Sequence, residues 1–156
     1  MNRTLIIFFL GLMNPYICAQ DAGKYTEFKY ENGELSSEGY IREGKPDGYW
    51  KTYYPEGTLK TEGNRSDFML DGVWKFYSSD GQINELISYS EGKKQGLSER
   101  YKKGDLIERC QYQRDTLSGI CEEFSEGTLL REIPFSEGKQ DGTGYEFSYQ
   151  GEISTI

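Results

Sequence analysis

The sequence contains no histidine, and its 156 residues include only three cysteines and four prolines. The missing histidine excludes Ser-His-Asp and Cys-His nucleophile arrangements and any His-based metal site. Cations are also scarce, with 18 Lys and Arg against 26 Asp and Glu, a formal charge of −8. Such a chain is poorly matched to phosphate backbones or anionic lipid head groups, so nucleic acid is not an expected partner. No Walker or dinucleotide fingerprint occurs. Only 35% of residues are hydrophobic, but 15% are aromatic, and that aromatic content argues against disorder.

One apolar run stands out, Leu5 to Leu12, interrupted only by Gly11. It follows a short basic start (Met1-Asn2-Arg3) and precedes Ile17-Cys18-Ala19, with the small residue just before Gln20. That layout reads as a secretory signal peptide over residues 1–19, too short to span a bilayer. Ile17 before Cys18 argues against a lipidated cysteine, because lipoprotein signals place a small residue there. The expected mature chain is 20–156, exported to the periplasm or secreted to the cell surface, with no transmembrane segment. Cleavage removes Arg3 and no acidic residue, moving the formal charge from −8 to −9.

What the chain does have is glycine at regular intervals. One glycine opens each unit, at 23, 48, 72, 96, 119 and 142, and an aromatic stands five residues later: Phe28, Tyr53, Tyr77, Tyr101, Phe124 and Phe147. A second glycine ladder (Gly33, Gly57, Gly81, Gly104, Gly127, Gly151) leads by two residues to Leu35, Leu59, Ile83, Leu106, Leu129 and Ile153. This is a repeat array. All its length variation falls between the aromatic and the aliphatic residue, so Tyr54–Gly57, Ser79–Gly81 and Lys102–Gly104 are expected as tight turns. The residues four and six beyond each aliphatic, such as Gly63 and Arg65 or Ile87 and Tyr89, suggest a strand with one buried face, weakened at Arg65. Six-residue polar loops are expected over 42–47, 66–71, 90–95, 113–118 and 136–141. The second of these is unusual in holding Phe68, Met69 and Leu70.

The expected fold is therefore all-β: an elongated antiparallel β-meander of about six tandem hairpins, a single twisted sheet of about twelve short strands. Cys110 and Cys121 flank one loop. The alternation assigns them to opposite faces, so the reading is two small half-buried residues rather than a disulfide.

The stretches Gly48-Tyr49-Trp50-Lys51-Thr52-Tyr53-Tyr54 with Glu56-Gly57-Thr58-Leu59, and Asp71-Gly72-Val73-Trp74-Lys75-Phe76-Tyr77 with Asp80-Gly81-Gln82-Ile83, carry a family likeness. They resemble MORN-variant repeats, the type found in the YwqK family that is labelled antitoxin. The resemblance covers residues 23–156 and is clearest over 30–104. It implies a scaffold or contact surface and no catalytic residues.

Glutamates are plentiful but fall at outward strand and turn positions, and no nucleophile stands with a base, so neither enzyme activity nor a cofactor or metal is expected. Asp47, Asp71 and Asp141 precede glycines and read as turn-capping residues. Trp50, Tyr54, Trp74 and Phe76 occupy the strand parity opposite the aromatic ladder. Either another part of the chain covers that face, residues 20–30 or the 68–70 loop, or it forms an exposed patch. With Phe68, Met69 and Leu70 these residues are the candidate binding surface. The expected role is an exported, non-catalytic scaffold binding an envelope protein. A module for cell-wall polysaccharide, or an antitoxin-like partner of a toxin, stand as alternatives.

Overall fold

A computed structural model describes residues 23–148 and 152–156; the signal-peptide reading lies outside them. Among the described residues, thirteen strands form one antiparallel sheet. They are β1 (Lys24–Lys29), β2 (Leu35–Arg42), β3 (Lys45–Tyr53), β4 (Leu59–Ser66), β5 (Met69–Tyr77), β6 (Ile83–Ser90), β7 (Lys93–Lys102), β8 (Asp105–Gln113), β9 (Thr116–Ser125), β10 (Thr128–Ser136), β11 (Lys139–Gln140), β12 (Tyr145–Phe147) and β13 (Ile153–Thr155). Each strand pairs with the next in sequence, except that β10 bonds both the two-residue β11 and β12. No helix occurs among the described residues. The meander follows from the connections, which are all too short for anything but antiparallel return.

The expected six-residue loops are not loops. At that end of the sheet the strands run on to two-residue turns, Glu43-Gly44, Asp67-Phe68, Glu91-Gly92, Arg114-Asp115 and Glu137-Gly138, with both residues of each pair at positive φ. Paired positive φ is the turn whose twist matches that of the flanking strands. Four of the opening glycines, Gly48, Gly72, Gly96 and Gly119, lie inside the strands instead. Trp50 pairs with Gly39 while Asp47 pairs with Tyr40, so β3 carries extra residues at Gly48-Tyr49. Gly48 takes φ 77°, and the same irregularity recurs before Trp74, Ser98 and Cys121. These bulges bend the sheet once per repeat.

A second bulge, of one residue, sits at the other end. Thr52 pairs with Thr61 but Tyr53 with Leu59, leaving Lys60 as the additional residue. It breaks the alternation, so Gly63 faces the same side as Trp50, not the side of Tyr53. The sequence-based face assignment of the second strands fails for this reason, and with it the separation of the cysteines. Cys110 pairs directly with Cys121, with their Cα atoms 4.1 Å apart, and the two form a disulfide.

The first unit departs from the ladder by one residue. Lys24 pairs with Ile41 as Gly48 pairs with Arg65, and Phe28 pairs with Ser37 as Thr52 pairs with Thr61. Gly23 is thus not a bulge glycine, and Phe28 belongs to the tryptophan face. The structural counterpart of Tyr53 in β1 is Lys29.

The core is a single file across the sheet. Gly39, Trp50 and Gly63 are successive cross-strand neighbours; beyond Trp74 the file continues through Ile87, Ser98, Cys110, Cys121 and Ile133. Trp50, Trp74, Ile87 and Cys110 are the buried hydrophobic side chains among the described residues, and all four lie in this file.

Candidate interaction surface

The two faces differ in chemistry. On one, the Trp74 ring lies over Gly63: a Cβ added there would fall inside the van der Waals envelope of Trp74 Cγ, Cδ2 and Cε2. Glycine at this position lets a large ring lie flat against a neighbouring strand. Trp74 Nε1 donates to the Asn64 carbonyl at 2.8 Å, and the Arg65 guanidinium sits 5.4 Å from the ring centroid. Burial lowers the Arg65 pKa. Trp50 repeats the arrangement over Gly39, with Phe28 packed at 6.2 Å.

Trp50 and Trp74 are 6% and 3% exposed, so these two members of the candidate binding surface are core. Their cover comes from residue Phe28 of the segment 20–30 and from side chains of their own face. Tyr54 is half-buried and donates its hydroxyl to the Tyr77 carbonyl at 2.8 Å. Phe76 is half-buried between Thr61 and Glu85.

Phe68, Met69 and Leu70 lie apart from the tryptophans, at a turn and the start of β5. Phe68 has φ 69°, where three of the other four turns carry glycine. A bulky residue in the left-handed region costs on the order of 1 kcal/mol, and surrounding contacts must hold it there. They are present. The Phe68 N–H donates to Asp47 Oδ1 at 3.2 Å, its carbonyl accepts from Arg65 Nη1 at 2.9 Å, and Arg42 and Lys45 lie 4.7 and 5.2 Å from its ring. Arg42 also bonds Asp47 and Asp67 at 2.7 and 2.8 Å. Phe68 is therefore spent on latching adjacent turns, while Met69 beside it is exposed. The structure does not gather the seven candidate residues into one patch.

The opposite face carries a ladder of hydroxyl–carboxylate contacts. Glu38 accepts from Tyr25 at 2.6 Å and from Tyr53 at 2.5 Å, and Glu62 accepts from Tyr49 and Tyr77, both at 2.7 Å. Lys51 and Lys75 stand 3.8 and 3.2 Å from these carboxylates. Further along, Arg109 bridges Glu99 and Glu122 at 2.9 and 3.4 Å. The Tyr25 and Tyr53 hydroxyls hold the Glu38 carboxyl below its ordinary range. Burial pushes Glu62 up, but hydrogen bonds from Tyr77, Tyr49 and Lys75 outweigh it and leave that group lowered too. Burial and the Glu62 charge push Tyr49 and Tyr77 up to about 12.

Beside this ladder runs a row of exposed apolar residues that the sequence reading passed over. Tyr25, Tyr49, Val73, Leu97 and Ile120, with Tyr40 paired to Tyr25, are 43–55% exposed. In four units the residue is the one after the opening glycine, so the signal was present. It was missed because the position after the glycine carries Tyr49, Val73, Leu97 and Ile120, no shared residue type, while the reading followed the aromatic ladder and the tryptophans. In the first unit the shifted register hides it.

The chemistry available is that of a contact surface: apolar steps on a rigid sheet beside an alternating charge row. Residues 46–67 and 70–91 each match the MORN repeat variant family, and these spans cover the β3–β4 and β5–β6 hairpins. No curated protein matches the chain. With two consecutive units matched, residues 46–91 carry two repeats of the MORN variant type, and the same hairpin is repeated on either side of them.

Proposed function

We propose that the protein is a non-catalytic, exported repeat scaffold that binds another protein of the cell envelope through the Tyr25–Ile120 ladder. The observation that carries this reading is the ladder itself: an apolar side chain left exposed at the same position in five consecutive units. Scattered exposed apolar residues need no explanation, whereas these recur in register on every second strand, with Asn64, Ser88 and Gln111 on the strands between them. The Cys110–Cys121 disulfide supports an oxidising compartment and so an exported chain. It argues against a YwqK-like antitoxin role directed at a cytoplasmic toxin.

Val73→Ser with Leu97→Ser is the direct test, since both side chains are exposed and contribute little to folding. Affinity purification from the native envelope should recover a partner with the parent protein and lose it, by tenfold or more, with the double variant. Equal recovery by a folded double variant removes the ladder from the interaction.

A polysaccharide-binding reading rests on the N-terminal end of the same row. Tyr25 and Tyr40 meet edge to face at 5.4 Å, with Tyr49 exposed nearby in β3, and fixed aromatic rings are stacking platforms for sugars. Tyr40→Ala should then abolish signal on an array of cell-wall glycans. An array with no signal from the intact parent protein rules the reading out.

A further inference from the structure

The disulfide-bonded Cys110 and Cys121 do not stand alone on their face of the sheet. Glu108 lies two residues before Cys110 on β8, and the pairing there is free of bulges, so both side chains take the tryptophan side. The two sulfurs and a carboxylate oxygen of Glu108 all lie within 4.8 Å of one another. No other group of three Cys, Asp or Glu side chains gathers its donor atoms in this way among the described residues.

The surroundings order this cluster. Cys110 is 4% exposed, while Cys121 and Glu108 are half-buried. Ser98 on β7 and Ile133 on β10 flank the two cysteines in register. The site is therefore walled by the sheet and open only outward. Arg100 Nη2 bonds Oε2 of Glu108 at 2.7 Å, which orients the carboxylate and leaves Oε1 to ligate. The neighbouring Glu123 is engaged by Arg131 at 3.4 Å.

As a disulfide the pair offers no thiolate. A dithiol reductant changes that: it gives up two electrons and two protons, becomes a disulfide itself, and leaves Cys110 and Cys121 as thiols. A divalent cation that binds them releases those two protons to water. The pairing of β8 with β9 holds the two Cα atoms 4.1 Å apart whatever the sulfurs do. Tetrahedral zinc, with bonds of about 2.3 Å to sulfur, needs its two sulfurs about 3.8 Å apart, within reach of that spacing.

We infer that the reduced Cys110–Cys121 pair and Glu108 form a binding site for a zinc-type divalent cation, with solvent in the fourth position. The donor set selects the metal. Thiolates disfavour calcium and magnesium, and the carboxylate disfavours copper(I). The absence of histidine removes one ligand class and leaves this one. The cluster escaped the sequence reading because the alternation sent the cysteines to opposite faces. One pair thus has two exclusive states, a covalent staple when oxidised and a metal site when reduced. The inference goes beyond the scaffold reading and does not depend on the exposed ladder.

The test takes the mature protein, reduces it with a phosphine so that no added thiol competes, and titrates it with cobalt(II) and then zinc. Cobalt should produce the sulfur-to-metal charge-transfer absorption of thiolate ligation, saturating at one equivalent, and zinc should displace it. Competition with a chromophoric chelator should give a zinc Kd of about 1 µM or tighter. Cys121→Ser should weaken zinc binding by about a hundredfold or more, and Glu108→Gln by about tenfold. Glu123→Gln should leave it unchanged. Glu108→Gln keeps the disulfide, so circular dichroism of its oxidised form checks that the variant folds. The reduced parent should keep its β spectrum, or regain it on adding zinc. A reduced parent without the charge-transfer band overturns the inference, as does an oxidised parent that binds zinc equally well. Parent-like affinity in Glu108→Gln, or an equal loss in Glu123→Gln, overturns the assignment of Glu108 as the third ligand and with it the site.

Discussion

Trp74→Ala is expected to destabilise the protein by about 3–5 kcal/mol, the range for truncating a buried tryptophan. The ring is 3% exposed in a sheet with no second layer, so little else can close the space it leaves. Its loss also leaves the Asn64 carbonyl without the indole donor and Arg65 without the ring beneath its guanidinium. The companion variant is Gly63→Ala, where the new methyl meets three ring atoms of Trp74. Gly63 is not at positive φ, so its cost is steric, about 1–3 kcal/mol. The two effects are coupled: in a Trp74→Ala background, Gly63→Ala should cost well under 1 kcal/mol because the clash is gone. Urea unfolding followed by circular dichroism measures all three variants. A Trp74→Ala protein that loses less than about 1 kcal/mol would mean the tryptophan file is not the core.

Glu62→Ala is expected to cost about 2 kcal/mol. The carboxylate is 13% exposed and accepts from two tyrosines and a lysine, so its removal leaves the part-buried Tyr77 hydroxyl without its acceptor, while the exposed Tyr49 hydroxyl turns to water. The same network sets the pH limits of the fold. Glu38 and Glu62 have folded pKa values below the ordinary 4.5. Their stabilisation is therefore complete above 4.5 and is lost as the pH falls through the lower folded values. Tyr49 and Tyr77 are raised from 10 to about 12, so their contribution is complete below pH 10 and is lost as the pH rises towards 12. A plot of urea midpoint against pH should be flat between these limits and fall at both ends. Glu62→Gln should soften the acid limb, and Tyr49→Phe with Tyr77→Phe the alkaline limb. Unchanged limbs in these variants would place the titrating groups elsewhere.

The repeat period was legible because glycine has a backbone role that no other residue fills cheaply. Gly57 and Gly81 take φ 90° and 84° in turns, and Gly48 and Gly72 take φ 77° and 69° in bulges. Both kinds recur where the chain must bend, so their spacing reports the unit length whatever the strands do. Which kind was which could not be read from spacing, and that decided much of what followed. Taking Gly48 as the start of a strand after a loop over 42–47 hid the bulge, and the exposed residue beside it went unremarked. Gly63, Ile87 and Cys110 are buried as the alternation suggests, but overlooking the extra residues at Lys60, Asn84 and Ile107 put them on the side of Tyr53 and Tyr77 and made a disulfide look forbidden. Trp50 and Trp74 were rightly separated from Tyr53 and Tyr77, yet whether they were covered depended on Phe28 and Arg65, whose positions no periodicity gives.

The sequence alone thus determined the β class, the hairpin unit and its period, and the meander order, because turn chemistry and short connections are local properties. Only the tertiary structure decided which face each side chain takes. A bulge of one residue reverses a strand's parity, and its place shows only in the pairing of neighbouring strands. That pairing buried the tryptophans over Gly39 and Gly63, joined Cys110 to Cys121, and left Tyr25, Tyr49, Val73, Leu97 and Ile120 in the open.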